Sequence, residues 1–344
     1  MSRVTDTYGP IPYSQVGLDG KLVAPFDTEK EVYYKMFDEL TDAINTLTIN
    51  RTQNLTANAD KVYSGNVEKW IKFANSLKLR MAMRICYVDK GKSEIMVKEA
   101  IDTSNGKLGV MTENSDNAFM PATINPFYMV CYSYNGGETK ISADLSSYMN
   151  GYQDPRREIY GVTSTFDESE NITNGFHGLR VGNEYPIKTG QCYSNVKVEV
   201  SSPIMWMNAA EVMFLRAEAA LRGWDTEKTP KAYYEAGIRL SFEQLGAKNV
   251  EDYLVSTNTP ESYKDPLGTY SFSGTPSTIS VQWKDGNFEE SLERIITQKW
   301  IANFPLGLEA WAEFRRTGYP KLMGTASNKS GGDIEAVSYT HLTL

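Results

Sequence analysis

Histidine is nearly absent from this 344-residue chain, which holds only His177 and His341. A Ser-His-Asp triad or a multi-histidine metal site therefore has little to be built from. Cysteine is scarce as well. Cys86, Cys131 and Cys192 are far apart, odd in number and without a C-x-x-C, which argues against a disulfide framework or a cysteine-only zinc site. No run approaches about 18 apolar residues, so no membrane-spanning helix is expected. The opening residues Met1-Ser2-Arg3-Val4-Thr5-Asp6 lack the pattern of a signal peptide. Either the protein is cytoplasmic, or its export segment lies upstream. There is no basic surplus: the net charge is −8, which argues against binding nucleic acid through its phosphates. G-x-S-x-G, P-loop and H-E-x-x-H motifs are missing. We therefore expect no enzyme, no cofactor and no metal.

What the chain does have is helical periodicity, clearest over residues 203–246. Met207, Ala210, Phe214, Ala217 and Leu221 recur at steps of three and four, the mark of one buried helical face. Alanines at 209, 210, 217, 219 and 220 keep that face narrow, so a second helix can come close. Gly223 stops the first helix, and Thr229-Pro230 restarts the chain with a cap and an N1 proline. Ala232, Tyr233, Ala236, Ile238, Leu240, Phe242 and Leu245 then line a second helix ending at Gly246. Such a helical hairpin, with small residues facing aromatic ones, is the unit of tetratricopeptide-like arrays.

Further helices follow from the same signals. Thr28 and Glu31 form a capping box ahead of Val32, Met36, Phe37, Leu40, Ile44 and Leu47, in a helix expected to end near Thr48. Ser64-Gly65-Asn66 caps a helix whose stripe is Trp70, Phe73, Ala74, Leu77, Met81 and Ile85. Arg80 and Arg84, four apart, share a face and should meet carboxylates such as Glu211, Glu218 or Glu313. Short helices are expected over 93–102 and 141–150, with Ser142 or Asp144 near the cap of the second. Residues 288–317 give two more pieces broken at Pro305, the latter with Leu308, Trp311 and Phe314 inward and Glu309 and Glu313 on one face. The expected core includes Trp70, Phe73, Leu77, Phe214, Ala217, Ile238, Trp300 and Trp311. Regions 104–201 and 256–285 are rich in Gly, Asn, Ser, Thr and Tyr and read as long functional loops. Asn54-Leu55-Thr56 and Asn171-Ile172-Thr173 match the glycosylation sequon, which is too short to carry weight.

Ligand chemistry concentrates in those loops. Sugars offer apolar C–H faces to rings, and hydroxyls to amides. The segment Asn125-Pro126-Phe127-Tyr128-Met129-Val130-Cys131-Tyr132-Ser133-Tyr134-Asn135-Gly136-Gly137 has this character. If it is extended, Tyr132 and Tyr134 point the same way, and the glycines let backbone approach a ligand. Phe127, Tyr128, Tyr132, Tyr134 and Asn135 are the candidate ligand-binding residues. Phe176, in Asn174-Gly175-Phe176-His177-Gly178, is next. The same tyrosines could instead pack the loops onto the helices.

Four stretches resemble one family. They are Tyr8-Gly9-Pro10-Ile11-Pro12-Tyr13 with Phe26-Asp27-Thr28; Lys69-Trp70-Ile71-Lys72-Phe73-Ala74-Asn75 running to Arg84; Asp154-Pro155-Arg156 with Ala210-Glu211 to Ala219; and Gln298-Lys299-Trp300 with Glu313-Phe314-Arg315-Arg316-Thr317-Gly318-Tyr319-Pro320. In this order they resemble the SusD/RagB-like outer-membrane nutrient-binding proteins of Bacteroidetes, most of all the SusD-like branch. The resemblance implies a mainly all-α fold, with tetratricopeptide-like hairpins under long loops. It implies one domain over 1–335, with export signal, lipid-bearing cysteine and first helices upstream of residue 1. Residues 336–344 do not fit what precedes them and are expected to be a non-native tail. The implied function is capture of oligosaccharide, or another nutrient, at the outer-membrane surface for a SusC-like TonB-dependent transporter. The alternatives are a helical protein-interaction scaffold and a glycoside hydrolase. For the hydrolase, Glu309 and Glu313 would have to flank a cleft; pairing with Arg315, Arg316 or Arg80 is the simpler reading.

Overall fold

The computed structural model describes residues 1–20, 23–53, 55–134, 136–164, 175–184 and 192–329; the proposed tail 336–344 and both sequon asparagines lie outside them. The fold is mainly α, with twelve α-helices and one two-stranded sheet among the described residues. The chain divides into two compact units. The first comprises Met1–Phe119, Met205–Gly237 and Pro305–Arg316; the second comprises Met120–Ile204, Ile238–Phe304 and the chain from Thr317 onward.

Helices of the first unit begin where capping chemistry places them. After α1 (Ser2–Tyr8), α2 (Glu29–Ile49) starts at Thr28 with both hydrogen bonds of the capping box formed. In α3 (Val67–Arg84), the Asn66 side chain accepts from the Lys69 N–H at 3.0 Å. Asp89 caps α4 (Lys90–Ile101), so this helix starts three residues ahead of the expected position. Strand β1 (Ala118–Met120) pairs with β2 (Ile204–Met207), and α8 (Ala209–Leu221) opens only at its cap, Asn208. Between β1 and β2 the chain forms three short helices: α5 (Pro126–Tyr128), α6 (Ala143–Gly151) and α7 (Arg157–Tyr160). Met207 therefore belongs to a strand, not to the helix that the stripe suggested. Burial alternates along Ile204–Met207 with a period of two, and the Asn208 side chain is engaged with the Glu211 N–H at 2.7 Å. In α9 (Pro230–Leu245), Gly237 packs against Phe214 so closely that a Cβ there would lie 2.8 Å from the ring. Small residues thus set the approach of the hairpin, as its composition indicated.

Two faces turn out differently from the sequence stripes. Trp70, Phe73 and Leu77 are only partly buried, while Ile71, Ala74, Leu79, Met81, Ala82 and Met83 are buried. α3 touches α2, α4 and α8, so most of its circumference is covered: Ala74, Met81 and Ile85 of the expected stripe are buried, and burial extends beyond that one face. Trp70 keeps a polar edge, its indole N–H donating to Asp60 at 2.8 Å. In α12 (Gly307–Thr317), Leu308 is exposed and Trp311 and Phe314 are only partly covered, whereas Glu309, Ala312 and Glu313 are buried.

The acids face inward because arginines meet them. Arg80 donates to Glu211 at 2.7 and 2.6 Å. Arg84 donates to Glu313 at 2.5 Å and to Glu309 at 2.7 Å. Arg316 clasps Glu218 at 2.6 and 2.7 Å and reaches Glu313 at 2.7 Å. Burial pushes the Glu218 carboxyl up, but the Arg316 and Arg222 guanidiniums outweigh it and hold the group below its ordinary value. The expectation that Arg80 and Arg84 have structural carboxylate partners is thus met. Glu309 and Glu313 are held in this buried ion network.

The second unit contains α5, α6, α7, α10 (Val250–Leu254) and α11 (Phe288–Ala302). Ser142 caps α6 through the Leu145 N–H. Residues 256–285 form no helix or strand and stay irregular, as their composition suggested. Trp300 is partly exposed and stands edge-on to Tyr148 at 5.5 Å.

Asp144 sits inside this unit. Burial pushes its carboxyl up to about 6, although the Met323 N–H donates to it at 2.6 Å. The folded protein therefore holds this proton more tightly than the unfolded chain does, where an aspartate titrates near about 3.9. The effect of this group is absent below the unfolded value. As pH rises from there through about 6, stability drops by roughly 3 kcal/mol in total. Asp144→Asn keeps an acceptor for Met323 but carries no charge. Its melting temperature is expected to fall less than that of the wild type between about pH 4 and about pH 7. Parallel profiles in thermal melts of the two proteins would contradict the assignment.

Candidate functional site

The aromatic segment singled out in the sequence lies in the second unit, against residues 194–202. Asn125 anchors it: its N–H donates to Val200 and its side-chain amide to Ser202, each at 2.7 Å. The Asn125 side-chain oxygen also accepts from the Phe127 N–H at 2.8 Å, and Pro126 takes the first helical position of α5. The chain then widens into a π-helix, Met129–Tyr134. Single π turns of this kind recur at functional sites.

This helix replaces the extended conformation expected there, and so changes which rings share a face. Tyr132 and Tyr134, two apart, no longer point together. Tyr128 and Tyr132, four apart, do: their rings lie 5.2 Å from centre to centre with 32° between planes. Both are partly exposed, and the Tyr132 hydroxyl donates to the Val196 carbonyl, which fixes that ring. Tyr134 is 79% exposed. Phe127 turns to the interior side and stands edge-on to Phe304 at 6.4 Å. Phe176 is buried, with its ring against Gly161, where a Cβ would come within 2.6 Å. Asn135 lies outside the described residues. The structure thus pairs Tyr128 with Tyr132 at the surface, leaves Tyr134 exposed without bringing it to that pair, turns Phe127 toward Phe304 and buries Phe176.

Two polar neighbours escaped the sequence reading. Lys140 and Asn195 face each other across an antiparallel bridge, and the lysine ammonium donates to the Asn195 side-chain oxygen. They are 55 residues apart in the chain, and no local pattern links them. Gly136 and Gly137 have φ of 56° and 85°, so the turn that joins the π-helix to Lys140 needs glycine for its backbone. Burial depresses the Lys140 pKa and raises that of Tyr132. Among the described residues no group of three or more His, Cys, Asp or Glu is placed to hold a metal ion, and no helix is long and apolar enough to cross a membrane.

Chemically, the site is a tilted pair of phenol rings beside an ammonium and an amide. Such a surface can stack on an apolar ligand face and donate to oxygens at its edge.

Comparison with known proteins bears on what that ligand is. A family model described as SusD-like, Susd and RagB outer membrane lipoprotein, matches residues 1–342. A crystal structure of a SusD homolog from Bacteroides uniformis superposes with a TM-score of 0.88 at 49% identity, over 96% of this chain and 69% of that one. One from Bacteroides thetaiotaomicron gives 0.87 at 43% identity, over 96% and 67%. A chitin-binding SusD homolog from Flavobacterium johnsoniae gives 0.88 at 39% identity, over 96% and 69%. Comparison with curated proteins found no match.

Proposed function

Because the chain belongs to the SusD-like family of outer-membrane lipoproteins, we propose that it captures oligosaccharide at the cell surface and passes it to a SusC-like TonB-dependent transporter. In this reading a lipid anchor holds the protein at the outer membrane, and the glycan is bound without being cut. The observation that carries it is the Tyr128–Tyr132 pair: two partly exposed rings, one of them pinned by its own hydroxyl, on an anchored helical turn. Rings held in advance lose little entropy when a sugar stacks on them. The chitin-binding relative at 39% identity supports a glycan as the ligand class.

A glycan array followed by calorimetric titration tests this. The wild type is expected to bind at least one oligosaccharide. A Tyr128→Ala, Tyr132→Ala variant with an unchanged melting profile should lose about 2 kcal/mol or more of binding, some thirtyfold in affinity. Equal binding by the two proteins would move the site elsewhere. Release of reducing ends from the bound glycan would replace the binding reading with a hydrolase.

A further inference from the structure

Asn195 stands beside the tyrosine pair and offers it one kind of group. Its side-chain oxygen accepts from the Lys140 ammonium, which lies on that side of the amide. An ammonium only donates, so the oxygen must face Lys140 and the amide nitrogen must face the other way. The bond to Lys140 is the one side-chain hydrogen bond of Asn195 among the described residues. The residue is partly exposed, and solvent reaches its nitrogen. The nitrogen is therefore an open donor of fixed orientation.

Gly137 shows what this donor borders. A Cβ on Gly137 would lie 3.6 Å from the Asn195 nitrogen and 3.9 Å from the Tyr132 ring, with no further heavy atom within 4 Å beyond the glycine and its chain neighbours. The surface above this glycine is thus open, with an amide N–H on one side and a ring edge on the other. Both borders are held by one stretch of chain, because the Tyr132 hydroxyl donates to the carbonyl of Val196, next to Asn195. The group that suits this spot accepts from the N–H and rests an apolar carbon on the ring edge. An acetamido group does both. Its carbonyl accepts and has no hydrogen of its own to place, and its methyl covers the ring edge. A hydroxyl there also accepts, but it must send its own hydrogen to solvent and brings no methyl to the ring.

We infer that Asn195 selects sugars that carry an acetamido group, the N-acetylhexosamine class, at the edge of the Tyr128–Tyr132 face, and that Lys140 is the positioning residue that keeps the Asn195 amide turned toward them. This rests on the reading of that face as a glycan site and names the kind of glycan it takes.

The test compares triacetylchitotriose with cellotriose, which has the same linkage and backbone but a hydroxyl in place of each acetamido group. In calorimetric titrations the wild type should bind triacetylchitotriose about tenfold more tightly, the worth of one hydrogen bond and one methyl contact. Asn195→Asp keeps the shape and the Lys140 contact but turns the donor into an acceptor, and should abolish the preference. Lys140→Met leaves the amide free to turn over and should reduce the preference. Lys140→Arg, which still donates to the Asn195 oxygen, should retain it. A wild type that binds the two trisaccharides equally, favours cellotriose, or binds other glycans but neither of these overturns the inference and leaves the glycan reading standing. So does a preference that survives Asn195→Asp. A preference untouched by Lys140→Met overturns the positioning role of the lysine. Binding of no oligosaccharide at all overturns both readings.

Discussion

Replacing Arg156 by methionine is expected to cost about 3–5 kcal/mol of stability, because it leaves a carboxylate buried without its cation. Arg156 and Asp154 are both wholly shielded from solvent. The guanidinium donates to Asp154 at 2.9 and 2.6 Å, to Ser241 at 2.8 Å and to Gln298 at 3.0 Å. Its central carbon lies 4.8 Å from the centre of the Phe242 ring. Without it, Asp154 keeps the Tyr253 hydroxyl at 2.8 Å as its remaining side-chain donor. Desolvating a carboxylate costs far more than that hydroxyl and the main-chain N–H of Arg156, 2.9 Å from Asp154, return. An Asp154→Asn, Arg156→Met double variant removes both charges and should recover part of the loss, since the penalty lies in the orphaned charge. Chemical denaturation of four proteins, the wild type, the Asp154→Asn and Arg156→Met single variants and the double, measures this. Strict additivity of the two single losses would show that the pair is not coupled as described.

The second large effect is expected at Phe214. Its side chain is wholly buried in α8, edge-on to Tyr234 at 6.2 Å, with Gly237 pressed against the ring. Phe214→Ala should cost about 3–5 kcal/mol, the transfer energy of the ring plus the cavity left behind. The reverse change, Gly237→Ala, fills no cavity; it drives a methyl into the ring and should cost about 1–3 kcal/mol. Trp300→Ala, at a partly exposed ring, should cost less than Phe214→Ala. If Trp300 proved the more costly of the two, burial in this protein would not be tracking stability.

Much of the helical frame was legible because helix ends are settled within three or four residues. The capping box at Thr28, the Asn66 cap, Ser142 before α6 and Gly223 after α8 each act on neighbours that the sequence shows directly. The same holds for the partners of Arg80 and Arg84: charged residues at helical spacing beside an apolar stripe need acids opposite them. The starts of α8 and α4 differ from those expected because Asn208 and Asp89, equally local signals, are the caps these helices use.

The candidate site was legible in composition but not in geometry. Tyrosines clustered in a loop marked the segment. Whether Tyr132 pairs with Tyr134 or with Tyr128 depends on backbone conformation, and the π-helix chose Tyr128.

The sequence by itself determined most of the long helices, where most of them are capped, and to which family the chain belongs, because those properties rest on contacts between near neighbours and on residue patterns kept in order; α1 and the helical turns over 126–134 were not among them. Only the tertiary structure decided which face of α3 is covered, that α12 turns Glu309 and Glu313 inward, and that Lys140 meets Asn195 beside the tyrosine pair. These depend on what the rest of the fold brings alongside. A buried acid is tolerable only where an arginine from a distant segment reaches it, and a one-dimensional pattern does not carry that information.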